Sequence, residues 1–276
     1  MRIDFHHRAP RSKCHLSRFA ASVLLLFLVA CGQPPPRPAS LELAALGDLV
    51  PLGEELAAVF NRSQRGVTVS VRRVSQNQLA SAVSSDPLAM ALAYAIPSGA
   101  VFSQTVVALE AIAVTVPLTN PVETLSIAEV RQAFAGSVSD WSELGGRPQT
   151  IIPLSREDGA LSRVLFERWV ITPGTRVSRN ALVLVSDEAV VATLASMPGS
   201  IGYASLRSLT AHVRPVRLEG VPPSVAAIQQ GQYPLVLPVL VLTAGQPRSG
   251  AKEFLSFVQG RDGQTVLQAQ GFVKAK

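Results

Sequence analysis

The sequence predicts an α/β fold, of a size that suits one large domain or two lobes around a cleft. Two observations indicate this fold class. Strand-like and helix-like segments alternate along the chain, and 276 residues are enough to give each lobe its own core. Two lobes around a cleft can close on a ligand by a hinge motion, so this fold class favours a binding protein.

The N-terminal segment indicates export from the cytoplasm. A basic stretch ending at Arg18 precedes an apolar run over residues 19–30, which is too short to span a membrane comfortably and ends in small residues. The run closes in Leu-Val-Ala-Cys at Cys31, which resembles the bacterial lipobox, whose Cys becomes the lipidated first residue of the mature protein. We therefore predict a lipoprotein signal peptide over residues 1–31, lipidation at Cys31 and a Pro-rich tether over residues 32–40. The alternative is an ordinary signal peptide in which Cys31 is incidental.

The excess of basic side chains lies mainly in this leader. The chain carries a formal charge of +6, but residues 1–31 hold five basic side chains against one acidic one, so the other 245 residues carry only +2. Aromatic residues make up 5% of the chain and do not alternate with basic ones, so we expect no nucleic-acid partner. Both cysteines, Cys14 and Cys31, fall in the leader, which excludes thiol catalysis, disulfides and cysteine metal sites from the exported part.

The first elements after the tether are predicted from their apolar periodicity. Residues 41–46 form a strand candidate, residues 47–49 a turn, and a helix follows. Residues 67–74 alternate between apolar and polar side chains, which predicts a half-buried strand before a polar turn at Ser75. Asp48 and Ser75 lie in these two turns, and both residue types commonly cap helix N-termini. The structural interpretation is that each of them caps the helix that follows it.

Apolar runs continue through the rest of the chain. Buried strands are predicted over residues 108–117 and 236–242, a strand passing into a helix over 183–193, and terminal helices over 251–259 and 263–270. The apolar run over residues 88–96 contains no carboxylate. Tyr94 and Ser98 either line a cleft or belong to the core and the following turn.

The segment over residues 125–170 is the most informative one. Its pattern predicts a short helix, a glycine-punctuated turn with a buried Trp141, a buried strand, a polar turn and a second helix. The polar turn places Ser155, Arg156, Asp158 and Ser162 around the N-terminus of the second helix. A helix N-terminus offers unpaired N–H groups and a partial positive charge, so the turn suits an anion.

This segment resembles the phosphate-binding proteins of ABC-type phosphate importers and their solute-binding relatives. In that family a helix ends in Phe-x-Gly, a Trp precedes Gly-Gly, and Ser-Arg-x-x-Gly-Ser-Gly-Thr opens a helix. The matching positions here are Phe134, Gly136, Trp141, Gly145, Gly146, Ser155, Arg156, Gly159 and, in the Thr position, Ser162. The chain departs from the family at Ala160 and Leu161, where Ser and Gly usually contact the anion.

Further matches extend the resemblance from about Ala108 to the C-terminus. They include Pro-Gly-x-Ile-Gly-Tyr ending at Tyr203, which is expected to pack near the hinge, and Tyr-Pro-Leu beginning at Tyr233. The resemblance implies a periplasmic-binding-protein-like fold that crosses between lobes near Asn120 and returns after Pro215. Lobe 1 is then expected to comprise residues 41–118 and 216–276, and lobe 2 residues 119–215.

The resemblance also implies a ligand site. Its expected members are Ser155, Arg156, Asp158, Gly159, Ala160, Leu161 and Ser162, joined by Leu49 and Ser75 from the first lobe. Arg156 is expected to contact or brace the anion while Asp158 holds its guanidinium; the alternative is a purely structural Arg156–Asp158 pair. Ala160 lacks a hydroxyl and the proton-accepting Asp of the family is absent, so the expected binding is weak and loosely selective.

The function implied by the resemblance is an extracytoplasmic, lipid-anchored solute-binding protein that captures an oxyanion, phosphate first of all, for an ABC importer. The expected partners are the oxyanion, the permease and the bacterial membrane; the chain is expected to be a monomer without a cofactor or metal. The alternative is a sensor or interaction protein on the same fold without tight phosphate binding. An enzyme is disfavoured, because three of the four His lie in the leader and no nucleophile elbow or Walker loop occurs.

Overall fold

A computed structural model of the chain describes Met1 and residues 39–63, 66–86, 89–97 and 99–275. The predicted signal peptide with Cys31, most of the Pro-rich tether and Ser98 lie outside the described residues, so the lipid anchor stays a prediction. Within the described ranges, no helix is both long enough and apolar enough to cross a membrane.

The fold is built on one large sheet. The described strands are β1 (Ala39–Leu46), β2 (Val67–Val74), β3 (Met90–Ala93), β4 (Ser103–Pro117), β5 (Thr124–Leu125), β6 (Ile152–Arg156), β7 (Leu182–Leu184), β8 (Ser200–Ser205), β9 (Val213–Pro215), β10 (Arg217–Leu218) and β11 (Val236–Thr243). Nine of them form one sheet in the order β2-β1-β3-β11-β4-β8-β6-β7, with β9 beside β4, and β5 pairs with β10.

Helices connect these strands and cover the sheet. The described α-helices are α1 (Val50–Ser63), α2 (Gln76–Ser84), α3 (Ile127–Ala135), α4 (Leu161–Val170), α5 (Asp187–Ser196), α6 (Val225–Gln229), α7 (Ser249–Gln259) and α8 (Arg261–Ala269). The alternation of strands and helices confirms the predicted α/β class. Strand β1 begins at Ala39, inside the segment predicted as tether, because its backbone pairs with β2 from that residue onward.

Strand β4 belongs to both halves of the sheet. Its residues 103–111 pair with β11, and its residues 112–117 pair with β8 and β9. The C-terminal part of the chain returns to the first half, where β11 lies between β3 and β4 and Phe254 of α7 packs edge-on against Phe60 of α1. Residues 39–276 cluster as one compact unit, so the lobe boundaries given above remain a prediction.

Each half of the sheet contains three parallel strands with the first of them in the middle. In one half β1 lies between β2 and β3, and in the other β6 lies between β7 and β8. The chain therefore leaves the middle strand towards one side and later returns on its other side. Ligands of α/β sheets bind at the carboxyl ends of strands where the strand order reverses in this way. The loops after β1 and β6 hold those positions here.

The core of the second half is aromatic. Trp141 is 1% exposed, and its indole N–H donates to the carbonyl of Gly199 at 2.8 Å, so the predicted buried Trp is confirmed. The rings of Phe166 and Tyr203 stack with their centroids 4.0 Å apart, and Phe134 packs against both rings. This stack fixes β8 against α4 and so positions the turn between β6 and α4.

Candidate functional site

Two cavities adjoin the N-terminus of α4. The first, called the polar cleft, has a volume of about 390 Å³ and lies at the ends of β6 and β8. Its charged lining residues are Asp48, Glu110, Arg156, Glu157, Asp187, Glu188 and Arg207. Because these are five carboxylates against two guanidinium groups, the lining carries a formal charge of −3.

The second, called the apolar cavity, has a volume of about 610 Å³ and lies at the carboxyl ends of the first three strands. Its lining residues are Leu46, Gly47, Asp48, Val74, Ser75, Gln76, Tyr94, Ala95, Gly159, Leu161, Val164, Leu165, Arg168 and Leu237. Asp48 and Leu161 line both spaces. The predicted anion turn thus lies where the two cavities approach each other.

Arg156 ends β6, and carboxylates hold its guanidinium. Nη1 pairs with Asp187, Nη2 lies 2.8 Å from Glu157 Oε1, and only 12% of the side chain is exposed. The remaining donors reach the carbonyls of Leu184 and Val185. The hydrogen bond from Arg156 is the main cause that lowers the pKa of Glu157 below its ordinary value. The guanidinium is therefore neutralised within the protein.

The predicted pair between Arg156 and Asp158 is wrong. The Asp158 carboxylate lies 2.8 Å from Nη1 of Arg163, and 92% of the Asp158 side chain is exposed. The carboxylate expected beside the Arg156 guanidinium is supplied instead by Asp187, at the start of α5, because β7 pairs with β6 and α5 begins shortly after β7. A partner 31 residues away could not be identified from local spacing.

The two predicted serines of the turn are both buried and engaged. Ser155 is 1% exposed, and its hydroxyl lies 2.8 Å from the hydroxyl of Tyr203, which also accepts the backbone N–H of Arg156. Ser155 therefore points into the aromatic core. The hydroxyl of Ser162 donates to Asp187 Oδ1 at 2.8 Å. Ser162 lines the polar cleft, whereas Ser155 does not.

Helix α4 begins without a side-chain cap. Ala160 is the N-cap residue, it has extended dihedral angles, and no side-chain hydrogen bond caps the helix there. Its own N–H donates to the carbonyl of Glu157 at 3.2 Å. The first N–H groups of a helix have no intrahelical acceptor. Those of α4 are therefore available to a ligand in the space beside Gly159 and Leu161.

Ser75 and Leu49, the two residues of the first half that were expected in the ligand site, lie in different surroundings. Ser75 is the N-cap of α2, and both its N–H and its hydroxyl donate to Gln78 Oε1, at 3.0 and 3.1 Å. Ser75 also lines the apolar cavity. Leu49 is fully buried, so its side chain lies in the core rather than in either cavity. A ligand role for these two residues remains a prediction.

Asp48 lies beside Leu49 but is exposed. It belongs to the 3₁₀ turn Gly47–Leu49, and it accepts no hydrogen bond from any residue that the structure describes. The interpretation of Asp48 as a helix cap is therefore wrong. Its carboxylate instead lines both the polar cleft and the apolar cavity.

A buried group at the polar cleft was not identified from the sequence. Glu110 is 2% exposed; it accepts from the hydroxyl of Ser205 at 2.6 Å and from Nε of Arg207 at 2.8 Å. Burial raises the pKa of Glu110 above its ordinary value, against the opposing effects of Arg207 and Ser205. The sequence does hold one signal for Glu110. It lies inside an apolar strand, where a carboxylate is costly to bury and needs a partner.

No cluster that could hold a metal ion occurs among the described histidines, cysteines, aspartates and glutamates. Both arginines of the polar cleft are engaged by carboxylates. The groups left for a ligand are the N–H groups at the start of α4 and the lining of the apolar cavity.

Comparisons of sequence identify the family of the chain. A family model described as a PBP superfamily domain matches residues 51–262. The phosphate-binding protein PstS of Bacillus subtilis is 29% identical over 157 residues, which are 55% of this chain and 51% of that protein. PstS 2 of Streptococcus agalactiae is 30% identical over 133 residues, 45% of each chain. The chain spans about half the length of the curated relatives it matches.

Solved structures agree on the fold. An ABC-type phosphate transport receptor from Vibrio cholerae superposes with a TM-score of 0.73 at 22% identity, covering 84% of this chain and 99% of that one. A putative phosphate ABC transporter substrate-binding protein from Clostridium perfringens, solved with bound phosphate, gives 0.70 at 21% identity, covering 86% and 100%. The predicted resemblance to phosphate-binding proteins and the periplasmic-binding-protein-like fold are confirmed. With a family match over most of its length, the chain belongs to the PBP superfamily.

Proposed function

We propose that this chain is an extracytoplasmic solute-binding protein, attached to the bacterial membrane by a lipid at Cys31, that captures an oxyanion for an ABC importer. Phosphate is the first candidate, because the relatives in Bacillus and Streptococcus are named phosphate-binding proteins. The chain acts as a monomeric receptor rather than as an enzyme, and its partner is the importer's permease.

The observation that carries the proposal is the uncapped N-terminus of α4 between the two cavities. Ala160 supplies no capping oxygen, so the positive end of the helix and its free N–H groups are left for a ligand. These features attract negative charge, and the position coincides with the turn that the family resemblance assigns to the anion.

The same geometry supports weak rather than tight binding. The guanidinium of Arg156 already contacts Asp187 and Glu157, and Ala160 offers no hydroxyl. Each hydrogen bond to a charged ligand that is missing costs about 1.5–3 kcal/mol, or about one to two decades in affinity. The proton-accepting Asp that the family resemblance leads one to expect is absent, so phosphate and sulfate should be poorly distinguished.

Titration calorimetry of the full chain with phosphate and with sulfate tests the proposal. We expect weak binding of both anions, which Arg156→Ala abolishes because Asp187 and Glu157 then lose their counter-charge. Arg72→Ala is the matched control, because Arg72 pairs with Glu42 on the β1–β2 face and lines neither cavity. Tight binding of phosphate alone, or binding indifferent to Arg156→Ala, would show that the anion lies elsewhere.

The lipid anchor has its own test. Expression in a bacterial host with a labelled fatty acid should give incorporation that depends on Cys31, and Cys31→Ser should release the protein from membranes. Absence of Cys31-dependent label contradicts the anchor and leaves the binding proposal in place.

A second candidate is a sensor or interaction protein on the same fold that has lost oxyanion capture. The observation that favours it is the polar cleft, whose two arginines are both held by carboxylates and whose lining is acidic. It predicts that a folded chain shows no heat of binding with either anion, which the same calorimetry distinguishes from weak capture.

A further inference from the structure

The apolar cavity is too large and too apolar for a bare inorganic anion. We propose that it binds an organic oxyanion, a small acid that carries an apolar body. This inference rests on the proposed capture of oxyanions and specifies the substrate class. The cavity extends beyond the predicted anion turn and the polar cleft, because the first half of the sheet forms the walls that lie opposite α4.

The size and the lining of the apolar cavity suit an organic ligand, and this is the first argument. Pockets for organic ligands span roughly 300–1,000 Å³ and are lined mainly by apolar side chains with a few polar groups. The apolar cavity, at about 610 Å³, falls within that range, and Leu46, Val74, Val164, Leu165 and Leu237 supply its walls. An inorganic oxyanion has only five non-hydrogen atoms and offers nothing to aliphatic walls. An apolar body on the ligand would remove the aliphatic walls of the cavity from water.

Position is the second argument. The cavity lies at the carboxyl ends of β1 and β3, where the chain first moves to β2 on one side of β1 and then returns on the other. This reversal of strand order opens a crevice at which ligands of α/β sheets bind. Helix α4, from Leu161 to Arg168, forms the opposite wall.

Tyr94 supplies the third and most specific argument. Its side chain lines the cavity and is 5% exposed, and its hydroxyl makes no hydrogen bond to any described residue. Burial raises the pKa of Tyr94 well above its ordinary value, so the hydroxyl remains a hydrogen-bond donor. Buried hydroxyl groups without a partner are costly, so they are usually satisfied. An oxygen atom of the ligand would provide the missing acceptor.

The charges at the cavity indicate an acid. Arg168 lines it and forms no ion pair among the described residues, in contrast to Arg156. The positive end of α4 lies at the other end of the same wall, beside Gly159 and Leu161. Asp48 also lines the cavity and opposes any second negative charge, so an oxyanion alone gains little there and the apolar body must supply much of the affinity.

Calorimetry of the full chain with three probes tests the inference. Phenyl phosphate carries both the oxyanion and the apolar body, inorganic phosphate carries only the first, and benzyl alcohol only the second. The titrations are run at about pH 5, where both phosphates are mainly monoanions because the second pKa of a phosphate ester is about 6. We expect phenyl phosphate to bind at least tenfold more tightly than either of the others. Equal affinity for inorganic phosphate overturns the inference and leaves the proposed function intact. Equal affinity for phenyl phosphate and benzyl alcohol also overturns the inference. If none of the three probes binds, both this inference and the proposed function are overturned.

Three variants locate the probe. Val164 is 50% exposed and lines the cavity, so Val164→Asp should fold normally and should remove the advantage of phenyl phosphate over inorganic phosphate. Val225→Asp is the matched control, because Val225 is 57% exposed on α6 and lines neither cavity. Tyr94→Phe keeps the shape of the wall and should weaken phenyl phosphate at least fivefold. An advantage that survives both Val164→Asp and Tyr94→Phe would place the ligand elsewhere and overturn the inference.

Discussion

Arg207 Nε donates to Glu110 Oε2 at 2.8 Å and so joins the end of β8 to the middle of β4, across 97 residues of sequence. The Arg207 guanidinium also lies 4.2 Å from the ring centroid of Phe272, near the C-terminus. Arg207 therefore links three distant parts of the chain: β4, the turn after β8 and the C-terminal segment. Glu110 lies close to the point where β4 changes partners from β11 to β8.

The first prediction concerns the pH dependence of stability. Burial raises the pKa of Glu110 in the folded protein above its ordinary value. Between the two pKa values the folded state binds more protons than the unfolded state, so the contribution of Glu110 is fully present below the unfolded pKa and is lost as pH rises through the folded pKa. Urea denaturation at several pH values should show this fall in the wild type relative to Glu110→Gln, which cannot titrate. A constant difference between the two proteins across that range contradicts the prediction.

The second prediction concerns Gly199, whose carbonyl accepts the Trp141 indole. Gly199 has φ +85°, and a Cβ there would lie 2.7 Å from the carbonyl oxygen of Thr150. Gly174 has a similar φ of +89° but no heavy atom within 4 Å of the added Cβ. Left-handed dihedrals cost an L-residue about 1–2 kcal/mol. We expect Gly174→Ala to lose about that free energy of unfolding and Gly199→Ala to lose at least about 1 kcal/mol more, measured by urea denaturation. Equal losses would mean that the backbone at Gly199 adjusts freely.

The difference between local and long-range signals explains what the sequence could predict. The buried Trp141 and the stacking partner Tyr203 belong to short motifs that reveal their burial, and α3 follows from its own periodicity. The partners of Asp187 and Glu110 could not be identified in this way, because they become neighbours only through the order of strands in the sheet. Ser155 illustrates the same limit. It matches the family motif, yet its hydroxyl is hydrogen-bonded to Tyr203 and the residue does not line the polar cleft.

The third prediction compares two buried tyrosines. The hydroxyl of Tyr94 makes no hydrogen bond to the described residues, whereas that of Tyr203 bonds with Ser155 and with the N–H of Arg156. Without ligand, Tyr94→Phe should raise the free energy of unfolding by about 1 kcal/mol, because an unsatisfied buried group disappears. Tyr203→Phe should lower it by about 1–3 kcal/mol, because Ser155 loses its partner. Urea denaturation of both variants checks the contrast, and a destabilised Tyr94→Phe would indicate that its hydroxyl has an acceptor in solution.

The fourth prediction restores a hydroxyl to the anion turn. Ala160→Ser places a hydrogen-bonding side chain at the N-cap of α4, where Ala160 supplies none. As a cap, serine should raise the free energy of unfolding by about 0.5–2 kcal/mol. If the oxyanion binds at this helix end, the same hydroxyl can donate to it. A hydrogen bond of about 1.5 kcal/mol to a charged ligand then strengthens phosphate binding about tenfold.

Ala160→Asp separates capping from ligand contact. Aspartate caps a helix as well as serine does, so both variants should gain stability in urea denaturation. Its carboxylate repels an anion, however, and cannot donate a hydrogen bond when ionised. Calorimetry should therefore show stronger phosphate binding for Ala160→Ser and its loss for Ala160→Asp, with the wild type between them. If both substitutions change the affinity in the same direction, the start of α4 does not hold the oxyanion. If both leave the affinity unchanged while raising the stability, Ala160 lies at a helix end that the ligand never reaches.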